Sequence, residues 1–99
     1  MSAKIQRLGE VDRVIHEPGR LMIVALLAAV KEADFQYLHT ATGLTKGNLS
    51  VHLSKLEDAG YVGIEKTFRG KYPLTICRLT PLGRNVLEGY RKVIKSALA

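Results

Sequence analysis

Gly47, Ser50, Val51, Ser54 and Lys55 share one side of a helical wheel whose other side carries Leu49, Leu53 and Leu56, and Lys46 and Asn48 join them from the start of the helix as candidate contact residues. The leucines recur at helical spacing and mark the face to be buried. The opposite side is small, and uncharged apart from its lysines. A face that is only solvated normally carries several long charged side chains. One made of glycine and serine lets another surface approach closely, and the major groove of DNA is such a surface. Asn48 has the donor and acceptor to pair with an adenine edge, Lys46 can reach guanine or phosphate, and Val51 suits a thymine methyl. Thr45 is a good N-cap, and the free N–H groups and positive dipole end that follow it attract phosphate. Glu57 and Asp58 sit at the far end, where they oppose the helix dipole. That placement makes sense if the far end stays out of the groove. A second candidate pair, Arg69 and Lys71, flanks Gly70 in a later turn and suits phosphate or the minor groove. Taken plainly, all of these are ordinary surface residues and a solvated turn. What favours contact with DNA is their order along the chain, a helix and then a basic hairpin tip.

Nothing else in the chain is arranged for chemistry. There is no Ser-His-Asp set in a plausible context, no phosphate loop and no carboxylate pair, so an enzyme is not expected. The three histidines, His16, His39 and His52, do not form ligand spacing with one another or with the lone Cys77. His52 lies three residues from Leu49, and a histidine packed at the core edge is the simpler reading than a metal ligand. Cys77 is most simply a small, half-buried strand residue. No metal and no cofactor are expected.

The elements that position these side chains are legible in turn. Gly43 ends a short helix over residues 36–42, because glycine takes the left-handed conformation at no steric cost. The helix from Lys46 to about Ala59 follows, and Ala59-Gly60 stops it. Residues 62–68 and 73–79 are β-rich runs separated by a short Gly-containing loop, which reads as a hairpin. Val62, Ile64, Lys66 and Phe68 alternate onto one face of the first run; Thr75, Cys77 and Leu79 share a side of the second. Ahead of this unit, Pro18 opens a helix running to about Lys31 or Glu32, apolar nearly all round and so expected to be buried on more than one side. A break at Ala33-Asp34-Phe35 allows a strand edge, and Leu38 and Ala41 are expected to face the core. Ile5, Leu8, Val11 and Ile15 give the N-terminal segment, residues 1–17, an amphipathic pattern. Gly9 opposes a helix there by about 1 kcal/mol. So small a helix must pack on a partner or on the last helix. Thr80-Pro81 opens that last helix, residues 81–98, whose stripe of Val86, Leu87, Tyr90, Val93, Ile94 and Leu98 is the candidate dimer interface.

The 99 residues make one domain, and dimerisation would add stability to so small a core. No apolar run reaches transmembrane length and none has signal-peptide flanks, so the protein is expected to be soluble and cytoplasmic. The formal net charge of +6 points to a polyanionic partner. Eight basic residues against one acid, Glu88, lie from Lys66 onward; the preceding part holds seven against eight. The basic excess belongs to the hairpin and the last helix.

Four stretches carry a resemblance: HEPGRLMIVALL, LTKGNLSVHLSKLEDAGYV, IEKTFRGKYPLTICRLT and the helix opening TPLG. From about His16 to the C-terminus the chain resembles the winged helix-turn-helix transcription regulators of the MarR/ArsR type, and most of all their small single-domain bacterial and archaeal members. The resemblance implies an α+β, mainly helical fold with about five helices, a two- to three-stranded wing, and terminal helices that dimerise. Residues 35–60 would be the helix-turn-helix and 62–79 the wing. It implies sequence-specific binding of double-stranded DNA by a homodimer, with repression by operator occlusion because nothing is left over for an activation domain. Metal-sensing relatives use paired Cys, His or acidic ligands that this chain lacks. A groove between the core and terminal helices of the dimer would suit a small-molecule effector. The alternatives are a winged-helix protein-interaction module, whose corresponding face tends to be apolar or acidic, and a non-specific DNA-coating protein.

Overall fold

The computed structural model describes residues 2–99; Met1, the first residue of the expected N-terminal segment, lies outside them. The described elements run α1 (Ser2–Gln6), a 3-10 turn (Arg7–Glu10), α2 (Pro18–Ala29), β1 (Ala33–Asp34), α3 (Phe35–Thr42), α4 (Lys46–Asp58), β2 (Val62–Arg69), β3 (Tyr72–Leu79) and α5 (Pro81–Leu98). The strands form one antiparallel sheet in the order β1-β3-β2. This is the expected winged helix, with the two-residue β1 as the third strand.

Local chemistry sets most boundaries. Glu17 caps α2, accepting from the Arg20 N–H at 2.7 Å. Asp34 caps α3 through the Tyr37 N–H at 2.7 Å. Thr80 caps α5 through the Gly83 N–H at 3.0 Å, and its hydroxyl donates to the Gly60 carbonyl at 2.6 Å. Each of these side chains satisfies a helix N–H that would otherwise lack a partner.

The core gathers Ile23, Val24 and Leu27 of α2, Leu38 of α3, Leu49, Leu53 and Leu56 of α4, Val62, Cys77 and Leu87. Cys77 is fully buried rather than half-buried, and burial pushes its thiol up to about 11, which keeps it an unreactive core group. As expected, α2 is covered on more than one side, by α3, α4, β3 and α5, but one apolar strip of it, Met22, Ala25 and Ala29, stays exposed. Ala41 does not face the core; it lines a shallow apolar hollow with Met22, Leu26 and Ala29. Apolar composition says that a face can be buried, and in this protomer no element is placed over that one.

The N-terminal segment is not one helix. It passes from α1 into a 3-10 turn that holds Gly9, then into a turn where the Asp12 carboxylate accepts from the Val14 and Ile15 N–H groups at 2.9 and 3.0 Å. Val11 and Ile15 are buried, while Ile5 is exposed. Both α1 and the 3-10 turn lie against α5, one of the two placements expected.

Candidate nucleic-acid interface

The turn between α3 and α4 is fixed by short polar contacts. Gly43 sits at φ +72°, and its N–H bonds to the His39 carbonyl at 3.1 Å. Thr42 accepts from the Leu44 N–H at 3.2 Å. His39 Nδ1 lies 2.7 Å from the Leu44 carbonyl oxygen, which only accepts, so this nitrogen carries the proton. Thr45 then caps α4, accepting from the Asn48 N–H at 3.1 Å. At the other end Gly60, at φ +83°, closes α4 with the paired bonds Tyr61 N–H to Leu56 and Gly60 N–H to Glu57, each 2.9 Å.

Between these stops, Leu49, Leu53 and Leu56 are buried and Thr45, Lys46, Gly47, Asn48, Ser50, Val51, Ser54 and Lys55 are all exposed. Val51 is 53% exposed on the crest, and a Cβ added at Gly47 would meet nothing within 4 Å. His52 leaves this face for the core edge. Its Nδ1 lies 3.2 Å from the Arg20 guanidinium and 3.8 Å from Glu17, pinning α4 to the start of α2. The Arg20 N–H, together with the nearby positive groups, holds the Glu17 carboxyl below the usual carboxylate range against the opposing effect of burial. His16 is likewise engaged, with Nδ1 2.9 Å from the Tyr90 hydroxyl.

A cleft of about 400 Å³ separates α4 from the wing, with Ser50, Leu53 and Ser54 on one wall and Ile64, Lys66 and Thr75 on the other. Glu57 also lines it, toward the C-terminal end of α4. Lys66 is the basic group that the sequence reading left out of the candidate set. Its signal was present: strand alternation puts it on the face of Val62 and Ile64, which turns toward α4. Arg69 and Lys71 are exposed, but they are not grouped with the helix residues. Arg69 pairs with Tyr72 on the opposite hairpin face and lines a cleft with Asp34, Gln36 and Leu74. Gly70, at φ +63°, makes the turn between them. The basic excess is also smaller at the surface than the count implies, because Arg78 is engaged by Glu32 and Glu65 at 2.9 and 2.8 Å.

The terminal stripe is divided. Leu87, a member of the candidate interface stripe, is 4% exposed and belongs to the protomer's own core, so it has little surface to offer a partner. Val86 and Tyr90 pack half-buried against that core. Val93 and Ile94 are half-buried, and Leu98 is 72% exposed.

A family model described as a winged helix DNA-binding domain matches residues 20–98. An uncharacterized protein of Methanocaldococcus jannaschii is 35% identical over 78 residues, 79% of this chain and 85% of that protein. A transcriptional regulator homologue from Pyrococcus horikoshii superposes with a TM-score of 0.87 at 26% identity, covering 94% of each chain. A MarR-family regulator from Silicibacter pomeroyi, 18% identical, superposes with a TM-score of 0.67 over 96% of this chain and 62% of its own, a likeness of fold. Family and fold are those of DNA-binding transcriptional regulators, not of enzymes. The matched residues span the core helix, both helices of the helix-turn-helix, the wing and the last helix, and the chain belongs to the winged-helix DNA-binding domain family, with the fold of MarR-type regulators.

Proposed function

We propose that this protein is a sequence-specific regulator that binds double-stranded DNA as a homodimer and represses by occupying its operator. The observation that carries the reading is the outward face of α4. It is small, exposed along its whole length, flanked by Lys46 and Lys55, and bordered by Lys66 across the cleft. An α-helix with such a face enters the major groove by its N-terminal half, where Thr45, Lys46, Gly47 and Asn48 lie. Thr45 belongs there as the cap that leaves the next N–H groups free for phosphate. Arg69 and Lys71 add backbone contacts from the wing.

The dimer is supported by the C-terminal half of α5. From Arg91 onward no residue of the helix is buried, yet Val93, Ile94, Ala97 and Leu98 continue its apolar stripe. Two such stripes and the exposed N-terminal Ile5 cover one another in a two-fold pair. One structure of the same fold, NadR at 22% identity, was solved with 4-hydroxyphenylacetate. An effector of this chain would take the groove between α2 and α5 of the dimer.

Affinity measured across a salt series on random duplex and on duplex selected from a random library tests the reading. A regulator binds the selected duplex at least a thousandfold more tightly, roughly the low end of the specific-to-non-specific range. Equal affinity for both would make it a DNA-coating protein, and no binding to either would leave a protein-interaction module.

A further inference from the structure

Phe68 and Tyr72 are 69% and 78% exposed, and they stand at the wing tip on either side of Arg69-Gly70-Lys71. Two aromatic side chains so exposed at one end of a hairpin leave their rings free to meet another surface. Among the described residues none covers them. They project from the last residue pairs of the hairpin, Phe68 opposite Pro73 and Tyr72 opposite Arg69.

Charge says what kind of surface fits. Residues 66–77 hold three basic side chains, Lys66, Arg69 and Lys71, and no acid. A partner for this tip is therefore both anionic and able to receive aromatic rings, as the stacked bases and phosphates of a duplex are. Position says where on the duplex. Phe68 follows Ile64 and Lys66 on the hairpin face that lines the cleft with Ser50 and Ser54 of α4. Two strand residues beyond Lys66 is about 7 Å further out. With α4 in the major groove, this places Phe68 over the neighbouring minor groove.

We propose that the wing tip is an aromatic wedge: Phe68 enters the minor groove and partly unstacks one base step in each half-site, while Tyr72, on the opposite hairpin face with Arg69, lies against the groove wall. The proposal rests on the DNA-binding reading above and deepens it. The ring and the cations divide the work. Lys66, Arg69 and Lys71 hold the two phosphate strands that wall the groove, and the aromatic side chains supply contact that salt does not screen. The wedge selects the base step that unstacks most easily, so the wing contributes to sequence preference through deformability.

The test uses the full chain and a duplex selected from a random library, with 2-aminopurine placed in turn at each step outside the α4 contacts. Wild type should brighten the probe at one step per half-site, since unstacking relieves its quenching. Phe68→Ala should leave every position dark and lose roughly 5- to 150-fold in affinity per half-site, the equivalent of one stacking contact in each, with an unchanged salt slope. Tyr72→Ala should lose affinity and Tyr72→Phe should keep it. Because both rings are exposed, these variants should keep the wild-type circular dichroism and unfolding midpoint. Equal binding by wild type and Phe68→Ala, with no position brightening, would overturn the wedge alone and give the aromatic tip to a protein partner. Failure of wild type to bind any duplex would overturn the DNA-binding reading as well.

Discussion

Gly83 lies on the inner face of the first turn of α5, where a Cβ would overlap the Tyr61 carbonyl oxygen and the Leu79 side chain. The carbonyl is backbone and already accepts from the Thr80 N–H at 3.0 Å, so it has little freedom to retreat. Gly83→Ala should cost about 3 kcal/mol or more, an overpacking penalty at the severe end, read as a lower urea midpoint. Tyr61 itself joins the end of α4 to the N-terminal segment by donating its hydroxyl to Asp12. That bond, with burial second, pushes the phenol up to about 12 from its ordinary value near 10. A raised folded-state value means that the neutral form stabilises the fold. The contribution should be whole below pH 10 and fade as pH rises toward 12. Tyr61→Phe should lose about 1–2 kcal/mol at neutral pH, and the difference from wild type should close along that alkaline limb. A gap that persists undiminished at pH 12 would assign the loss to packing instead.

The wing shows what a hairpin can do that a loop cannot. Strand alternation places Lys66 and Phe68 on the face toward α4 and Arg69 on the other. A hairpin entering the minor groove edge-on presents one face to each phosphate strand, so residues on opposite faces can both neutralise phosphate. Arg69→Ala with Lys71→Ala should therefore flatten the plot of log affinity against log salt by roughly 2 per protomer, or about 4 per dimer. An unchanged slope would remove both from the backbone. At this scale much was legible before any coordinates. Thr45, Thr80 and Gly43 act through near neighbours, and caps and left-handed turns depend on little else. Leu49, Leu53 and Leu56 define their face by period alone. What escaped depends on distant chain. Periodicity marked α2 and Ala41 as fit for burial, but the placement of the surrounding elements decides which faces are covered. The pairing of β1 with Ile76 and Cys77, and the capture of Arg78 by Glu32 and Glu65, join residues far apart in sequence. Phe68 was read as one member of an alternating strand face; its exposure follows from the hairpin outrunning the core.

The molecule is elongated, with extents of 57 × 25 × 21 Å and a radius of gyration of 14.8 Å, against about 13 Å for a compact chain of this length. The 18 residues of α5 span about 27 Å, and only their first half has core beneath it. Val93 and Ile94 lie beyond the core residue Leu87 and remain half-buried. Replacing both with Asp should convert a homodimer to monomer in sedimentation, because an unpaired buried charge costs several kcal/mol. A wild-type protein that sediments as a monomer at micromolar concentration would contradict the dimer directly. No helix among the described residues is long and apolar enough to cross a membrane. If the outward face of α4 reads base sequence, selection of bound duplexes from a random library will separate wild type from Ser50→Glu. Wild type should enrich a near-palindrome with half-site centres about one helical turn, or a multiple of it, apart. Ser50→Glu, folded by circular dichroism, should enrich nothing, since its carboxylate would face the groove and its phosphates. Enrichment of the same motif by both proteins would take sequence reading away from α4 and place it elsewhere on the chain.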